Sequence, residues 1–193
     1  MTCVNNYTPW VEVRKQIQET TMLEPRDGKI IYPYEEATIE LVEIQYSDVL
    51  PTTKYVLRKN LVTQANLSVD LQQQGYASQL DLEGSLELIS ESGEYHKLTP
   101  PIVETTDEDH TYIIDGAHRT VIGRWLGRSS FNAIHISGIR PDCPSYARPN
   151  SWEEIRIYEN LPLKNELKKD YRPNPRGLYR NFGPINGSSL RKA

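Results

Sequence analysis

The chain has 193 residues, of which 37% are hydrophobic and 25% are charged, and its formal net charge is −4 at neutral pH. This length and composition are typical of one folded domain with appendages, and they exclude a largely disordered chain. The sequence contains no apolar run of the ~20 residues that a membrane span needs, and its N-terminus lacks a secretory signal pattern, so we expect a cytoplasmic protein without a membrane partner.

The charge is unevenly distributed along the chain. Residues 161–193 carry eight lysines and arginines against two acidic residues, a net charge of +6, which leaves −10 on residues 1–160. Such a basic tail either docks on its own acidic body or brings cations to a polyanionic ligand. The acidic body argues against a broad duplex-DNA surface, so nucleic acid is not expected as a partner.

The first third of the chain predicts helices and strands in alternation. Residues 10–24 space their apolar side chains at helical intervals and predict an amphipathic helix. Residues 29–50 alternate apolar and polar side chains and predict one or two strands interrupted by Pro33. Residues 60–75 predict a second helix that ends at Gly75.

The middle of the chain has more varied patterns. Residues 84–95, GSLELISESGEY, predict another short helix or a turn that closes at Gly93. Residues 100–116 predict two strands around a polar hairpin. A further strand is expected at residues 129–139, because its apolar and polar side chains alternate.

Beyond Asp142 the sequence becomes rich in Pro, Tyr, Asn and Gly. The segment 151–159 predicts one helix there, because a serine at its start is followed three residues later by a glutamate. The remainder is interpreted as an extended arm that wraps the body. Its expected anchors are three aromatic residues: Tyr171, Tyr179 and Phe182.

We therefore divide the chain into three parts. Residues 1–34 form an N-terminal helical appendage, residues 35–142 form the core, and residues 143–193 form a Pro/Tyr-rich basic C-terminal arm. The aromatic residues of the arm could instead be buried in a second copy of the chain, so a homo-oligomer is a further expectation.

The most informative motif is YIIDGAHRTVIGRWLG, which begins as an apolar strand, turns at Asp115-Gly116 and continues as a short helix. Such a turn can direct the backbone N–H groups of residues 117–119 toward one anion, and glycine allows a phosphate to come close. His118 and Arg119 lie in the first helical turn, where the helix dipole disfavours cations unless an anion binds there. This pattern predicts an anion site.

A second interpretation of the same residues involves no ligand. Asp115 would be the N-cap of the helix, and Arg119 would pair with it as a neighbour four residues on. The local chemistry leaves both interpretations open.

The order of elements extends the prediction. Strand PPIVET, strand TYIIDG, helix AHRTVIGRWLG and strand NAIHISGI, with Gly116-Ala117-His118-Arg119 at the turn, resemble the ParB/sulfiredoxin-like family, whose members carry a G-x-[HR]-R signature at this turn. The resemblance implies an α+β fold, with a mixed sheet, flanking helices and here an extended C-terminal arm. It also implies that the turn binds nucleotide phosphates.

The departures from the family narrow the expected activity. Ala117 stands where sulfiredoxins have their catalytic cysteine, so sulfinic acid reductase activity is not expected. A helix-turn-helix domain like that of partition proteins is not expected in the Pro-rich arm. The architecture resembles most the small free-serine kinases of the superfamily, which use an upstream glutamate as base. Glu35 and Glu36 are the candidate bases, although SDVLPTTK aligns more naturally and has Thr53 in that place.

The resemblance thus implies a nucleotide-dependent phosphotransferase or hydrolase that acts on a small polar metabolite such as a free amino acid. Its cofactors would be ATP, ADP or another nucleotide, together with Mg²⁺. The phosphate-binding residues would be Gly116, Ala117, His118, Arg119 and Thr120. Asp115 would hold the Mg²⁺ or act as base, so the catalytic residues would be Asp115, His118 and Arg119.

The alternative is a non-catalytic nucleotide- or nucleic-acid-binding regulatory module related to partition proteins. The arm distinguishes the two functions. An enzyme would use the arm to close its pocket, whereas a regulatory module would leave it free to engage a partner.

Overall fold

The computed structural model describes residues 2–106, 110–163 and 166–186. Within these residues the strands are β1 (Cys3–Pro9), β2 (Thr38–Gln45), β3 (Leu50–Pro51), β4 (Tyr55–Leu57), β5 (Gly84–Ile89), β6 (Tyr95–Leu98), β7 (Ile102–Thr105), β8 (Thr111–Asp115), β9 (Ser130–Ser137) and β10 (Arg156–Tyr158). The α-helices are α1 (Trp10–Gln18), α2 (Arg58–Gln73), α3 (Ala117–Trp125) and α4 (Gly183–Asn186). The predicted α+β class is confirmed.

Five strands form a mixed central sheet in the order β2-β9-β7-β8-β3. The pairs β2–β9 and β7–β8 are antiparallel, whereas β7–β9 and β3–β8 are parallel. The two strands predicted around a polar hairpin are β7 and β8, and the strand predicted after the helix is β9. Because β3 and β8 run in the same direction, their carboxyl ends meet at one edge of the sheet.

Both faces of the central sheet are buried. Along β9, Phe131 and Ala133 belong to one apolar cluster, and Ile134 and Ile136 belong to another. This follows from the two-residue period of a strand, which places alternate side chains on opposite faces. The second cluster also contains α1 side chains and Phe182 of the arm, so the arm contributes to the main core.

Two smaller sheets flank the central one. Strands β1, β5 and β6 form an antiparallel sheet, and leucines of β5 and β6 pack with Leu71 of α2. Strands β4 and β10 pair in parallel, with Tyr55 opposite Arg156. Strand β10, which follows the core in the sequence, thus lies beside the strand that leads into α2.

The N-terminal helix is shorter than the sequence predicts. Helix α1 ends at Gln18, and Met22 lies in an isolated bridge to Arg180 rather than in the helix. The two threonines that follow Glu19 are β-branched and poor helix formers, which accounts for the early end. The residues before α1 form strand β1, which the sequence patterns did not predict. Between Pro33 and Tyr46 the chain forms one strand, β2.

Two predicted helices are wrong. Residues 84–95 contain β5 and the turn that leads into β6, because Leu86 and Leu88 are both buried at the two-residue spacing of a strand. The alternative prediction for this segment, a turn that closes at Gly93, is confirmed, since Gly93 has φ +79° and its N–H donates to the Ser90 carbonyl. The segment 151–159 contains only a 3-10 turn followed by β10. The Ser151 hydroxyl does cap that turn, by accepting from the Glu153 N–H, but the β-branched residues that follow continue as a strand.

Some predicted features lie outside the described residues. They are the tip of the hairpin between β7 and β8 and the basic residues Lys164, Arg191 and Lys192 of the arm. None of the helices in the described residues is long and apolar enough to cross a membrane.

The distal part of the arm, residues 166–186, packs against the rest of the chain. Tyr171 and Tyr179 lie against the main core, and Phe182 is buried within it. The ring of Tyr179 lies 4.6 Å from that of Tyr146, centroid to centroid. The three aromatic residues expected to anchor the arm do so.

A buried ion pair fastens the arm to the centre of the sheet. The Arg180 Nε and Nη2 atoms donate to the two carboxylate oxygens of Glu104 on β7, at 3.0 and 3.1 Å. The remaining guanidinium donors reach the carbonyls of Cys143, Pro144 and Leu178. The Tyr34 hydroxyl donates to Glu104 as well. Every charged group in this network has a partner of opposite charge or a hydrogen bond.

The electrostatics of the network follow from its burial. Burial opposes the charge on Arg180, but Glu104 and Tyr34 more than offset this and raise the pKa of the guanidinium. Burial beside Glu104 raises the pKa of Tyr34 well above its ordinary value. Removal of one charge would therefore leave the other desolvated and unpaired.

We expect Arg180→Met to lower the free energy of unfolding by about 3–5 kcal/mol, because Glu104 would remain buried without its cation. Urea unfolding followed by circular dichroism measures this change. The matched control is Arg124→Met, since Arg124 forms a more exposed pair with Glu153, and it should change stability far less.

A double variant tests the coupling. Glu104→Gln with Arg180→Met should cost less than the sum of the two single variants, because neither charge is then left alone. An Arg180→Met protein as stable as the Arg124→Met protein would contradict this account.

Candidate functional site

The candidate site lies where the parallel strands β3 and β8 end side by side. Leu50 pairs with Tyr112 and Pro51 with Ile113, so the threonines that follow β3 lie level with the end of β8. The Thr52 hydroxyl donates to the Ile113 carbonyl at 2.9 Å. This bond fixes Thr52 beside the Asp115-Gly116 turn.

Gly116 has a conformation and a contact that only glycine accommodates. It is the N-cap of α3 and lies in the left-handed region with φ +90°. A Cβ atom there would lie 2.8 Å from the Arg119 Nε and 3.0 Å from the Pro101 Cβ. The turn is therefore closed from behind by the side chain of Arg119.

Arg119 is buried, with 5% of its surface exposed, and has partners within the protein. Its guanidinium donates to the Thr99 carbonyl, and Nη2 lies 3.5 Å from the Asp115 Oδ2. Burial lowers the pKa of Arg119, and Asp115 opposes this shift. The predicted ion pair between residues 115 and 119 is confirmed, whereas the predicted N-cap role of Asp115 is wrong, because Gly116 holds that position without a side-chain cap.

The side chain of Thr120 does not reach the surface of the turn. Thr120 is fully buried, and its hydroxyl donates to the carbonyls of Gly116 and Ala117 at 3.2 and 3.0 Å. Its own carbonyl accepts from the Tyr46 hydroxyl. Arg119 and Thr120, both predicted to contact phosphate, thus support the turn from inside, while Gly116, Ala117 and His118 are partly exposed.

His118 faces the start of α2. Its Nε2 lies 3.3 Å from the Asn60 side-chain nitrogen, a contact that joins the first turns of two helices. Asn60 was not predicted as a site residue. An amide that contacts a ring nitrogen fixes the orientation of the imidazole.

Lys169 of the arm reaches the same edge of the sheet. Its Nζ donates to the Thr52 Oγ1 at 2.9 Å and to the Tyr146 hydroxyl. It also lies 4.4 Å from the centroid of the Tyr146 ring. No pattern in the sequence distinguishes Lys169 from the other basic residues of the arm.

Backbone hydrogen bonds fix Lys169 from two sides. The Lys54 N–H donates to the Lys168 carbonyl, and the Arg148 N–H donates to the Asp170 carbonyl, each at 2.8 Å. The arm is inserted here between the loop after β3 and the loop that contains Tyr146. Its position is consequently set by backbone contacts, independently of the lysine side chain.

The candidate bases Glu35 and Glu36 are placed elsewhere. Both are exposed, and Glu35 lines a depression of about 380 Å³ together with Lys15, Gln18 and Tyr32. Thr53 is buried and its hydroxyl donates to the Tyr55 carbonyl, so it does not replace them as a base.

Within the described residues no group of three or more His, Cys, Asp or Glu side chains could hold a metal ion. Magnesium at a nucleotide site usually needs only one or two carboxylates, together with phosphate oxygens and water. Asp115, the predicted ligand, is paired with Arg119, and a Mg²⁺ ion bound there with the nucleotide stays a prediction.

Comparison with known proteins identifies the family. A family model described as the ParB CE domain matches residues 12–156, which is most of the chain. This chain belongs to the ParB CE domain family. No curated protein and no solved structure matches the chain. The ParB likeness predicted from the turn is confirmed, and in this ParB CE domain the match extends beyond the turn to α1 and to the start of β10.

The turn of the ParB CE domain yields a direct test. We expect Gly116→Ala to destabilise the protein by more than Gly127→Ala, because both glycines have φ near +80 to +90° but only Gly116 lacks room for a Cβ. The conformational cost alone is roughly 1–2 kcal/mol, and overpacking adds about 1–3 kcal/mol at Gly116. Urea unfolding measures both variants.

An Arg119→Ala background tests whether Arg119 causes the larger destabilisation expected of Gly116→Ala. There the additional cost of Gly116→Ala should fall toward that of Gly127→Ala, since the nearest contact is gone. Equal costs for the two glycine variants in the unmodified background would show that Arg119 does not close the turn.

Proposed function

We propose that this ParB CE domain is a nucleotide-dependent phosphotransferase or phosphohydrolase that acts on a small polar metabolite such as a free amino acid. The observation that carries the proposal is the start of α3, which Gly116 caps without a side chain and whose first turn has no acidic residue. The first N–H groups of a helix have no intrahelical acceptor, and the dipole favours an anion there. A nucleotide phosphate is the ligand that suits this arrangement best.

The proposed roles differ from those expected of the sequence at Arg119 and Thr120, which support the turn from inside, and Asn60 is added to them. His118 donates a hydrogen bond to a phosphate oxygen, and Asn60 orients its ring. Asp115, whose side chain is 35% exposed, accepts the proton of the acceptor hydroxyl. Arg119 is not a phosphate ligand but a positioning residue, which holds Asp115 and the backbone of Gly116.

The reaction makes modest demands on the protein, because phosphoryl transfer depends mainly on positioning and on charge neutralisation. The acceptor oxygen forms a bond to the γ-phosphorus, and the bond from that phosphorus to the β,γ-bridging oxygen breaks. The proton of the acceptor moves to Asp115. In hydrolysis a water molecule takes the place of the acceptor.

The position of the arm favours an enzyme over a regulatory module. Residues 168–172 pack between two loops at the edge of the sheet where the turn lies. An arm that engages a separate partner would not need to be built into that edge. This supports a site that the arm covers on one side.

Calorimetry with ATP, ADP, CTP and GTP on the full chain tests the binding step. We expect at least one of them to bind, and His118→Ala to weaken its affinity by about 10- to 100-fold, the effect of losing a hydrogen bond to a charged group. The matched control is His96→Ala, which removes an exposed histidine of β6 and should leave the affinity unchanged.

The bound nucleotide is then incubated with a set of free amino acids, and products are followed by phosphorus NMR. Asp115→Asn should retain binding and lose turnover. Binding without turnover by the unmodified protein would favour the regulatory module, and failure of every nucleotide to bind would overturn the proposal.

A further inference from the structure

The arm carries two largely enclosed cations that have different surroundings. Arg180 is neutralised by the carboxylate of Glu104. Lys169 has no such partner, because none of the ion pairs between described residues includes it. Its hydrogen bonds go to the neutral hydroxyls of Thr52 and Tyr146. The body therefore provides a counter-ion for one cation and not for the other.

This arrangement is unfavourable for a lysine whose role is only structural. An ammonium enclosed by protein without a carboxylate partner loses hydration that hydroxyl groups replace only in part. Burial lowers the pKa of Lys169 to about 8, and Tyr171, Asp115 and Glu104 limit the decrease. A long apolar side chain would fill the same space without this cost.

The ammonium lies next to the phosphate-binding turn. Its two hydroxyl partners are themselves fixed to the end of β8: Thr52 donates to the Ile113 carbonyl, and Tyr146 donates to the Ile114 carbonyl. The next residues of the chain are Asp115 and Gly116. Lys169 is thus held above the last residues before the turn, at the side of the site that the arm covers.

We propose that Lys169 is a phosphate-binding cation of this site, so that the C-terminal arm completes the site that the turn begins. This inference rests on the proposed function and extends it to a residue outside the region matched by the family model. An ammonium has three N–H donors, of which Thr52 and Tyr146 take two. The third is assigned to an oxygen of the phosphate, which supplies the counter-ion that the body does not provide.

Calorimetry with ATP and with inorganic pyrophosphate at pH 7.5 tests the inference. Lys169→Met should weaken the affinity for both by about 10- to 100-fold, whereas Lys169→Arg should retain most of it. The matched control is Lys54→Met, which removes an exposed lysine from the adjacent loop and should have little effect. Urea unfolding establishes that each variant is folded.

The unmodified protein gives a second measurement that needs no folded Met variant. Because the phosphate binds the protonated amine, affinity should fall by roughly twofold between pH 7 and pH 8 and by up to tenfold per unit above pH 8. ATP is the ligand for this profile, because its terminal phosphate, with a pKa of about 6, changes its ionisation little above pH 7. Burial raises the pKa of Tyr146, so its hydroxyl stays protonated. Lys169→Arg should remove the decrease, because arginine stays charged.

The outcomes separate the two proposals. If the unmodified protein binds ATP and Lys169→Met binds it equally well, Lys169 is not a ligand, while the proposed function stands. If the affinity of the unmodified protein does not fall above pH 8, the inference fails in the same way. If neither ATP nor pyrophosphate binds the unmodified protein, this inference and the proposed function are both overturned.

Discussion

The buried pair of Glu104 and Arg180 is the interaction on which the arrangement of this protein depends. Glu104 lies on β7, in the middle of the central sheet, and is fully buried. A carboxylate there is tolerable only with a cation beside it. Arg180 provides that cation from the C-terminal arm. The same segment of the arm brings Lys169 to the edge of the sheet. The segment that neutralises the buried Glu104 therefore also supplies a residue of the candidate site.

Three basic residues near this region show how little residue type says about role. Arg180 compensates a buried charge, Arg119 closes a tight turn from behind, and Lys169 lies among hydroxyl groups without a carboxylate at ion-pair distance. A G-x-x-R spacing has a geometric basis here, because the arginine occupies the space that a Cβ of the glycine would need. The resemblance to phosphate-binding turns and the burial of this arginine are thus compatible.

The sequence predicted the parts of the fold that depend on local patterns. Strands β7, β8 and β9 and helix α3 have clear periodicity and turn residues, and the Asp115-Gly116 turn was found for that reason. The helix predicted at residues 84–95 is wrong because two leucines and an isoleucine within four positions suit a short helix as well as a strand. The Glu104–Arg180 pair and the Lys169 contact could not be predicted, because charged residues are ordinarily exposed and their partners lie far apart in the chain.

The distance along the chain between the partners of the buried network also bears on biosynthesis. Arg180 contacts Tyr34 across 146 residues and Met22 across 158. A nascent chain can form α1, the sheet and α3 while the ribosome is still translating the arm, but Glu104 then lacks its cation and the core lacks Phe182. Contacts between residues so far apart in the sequence form slowly, and a chain in which they have not yet formed exposes apolar surface. Products of interrupted translation that lack Phe182 and Arg180 would accordingly be poorly folded substrates for chaperones and proteases.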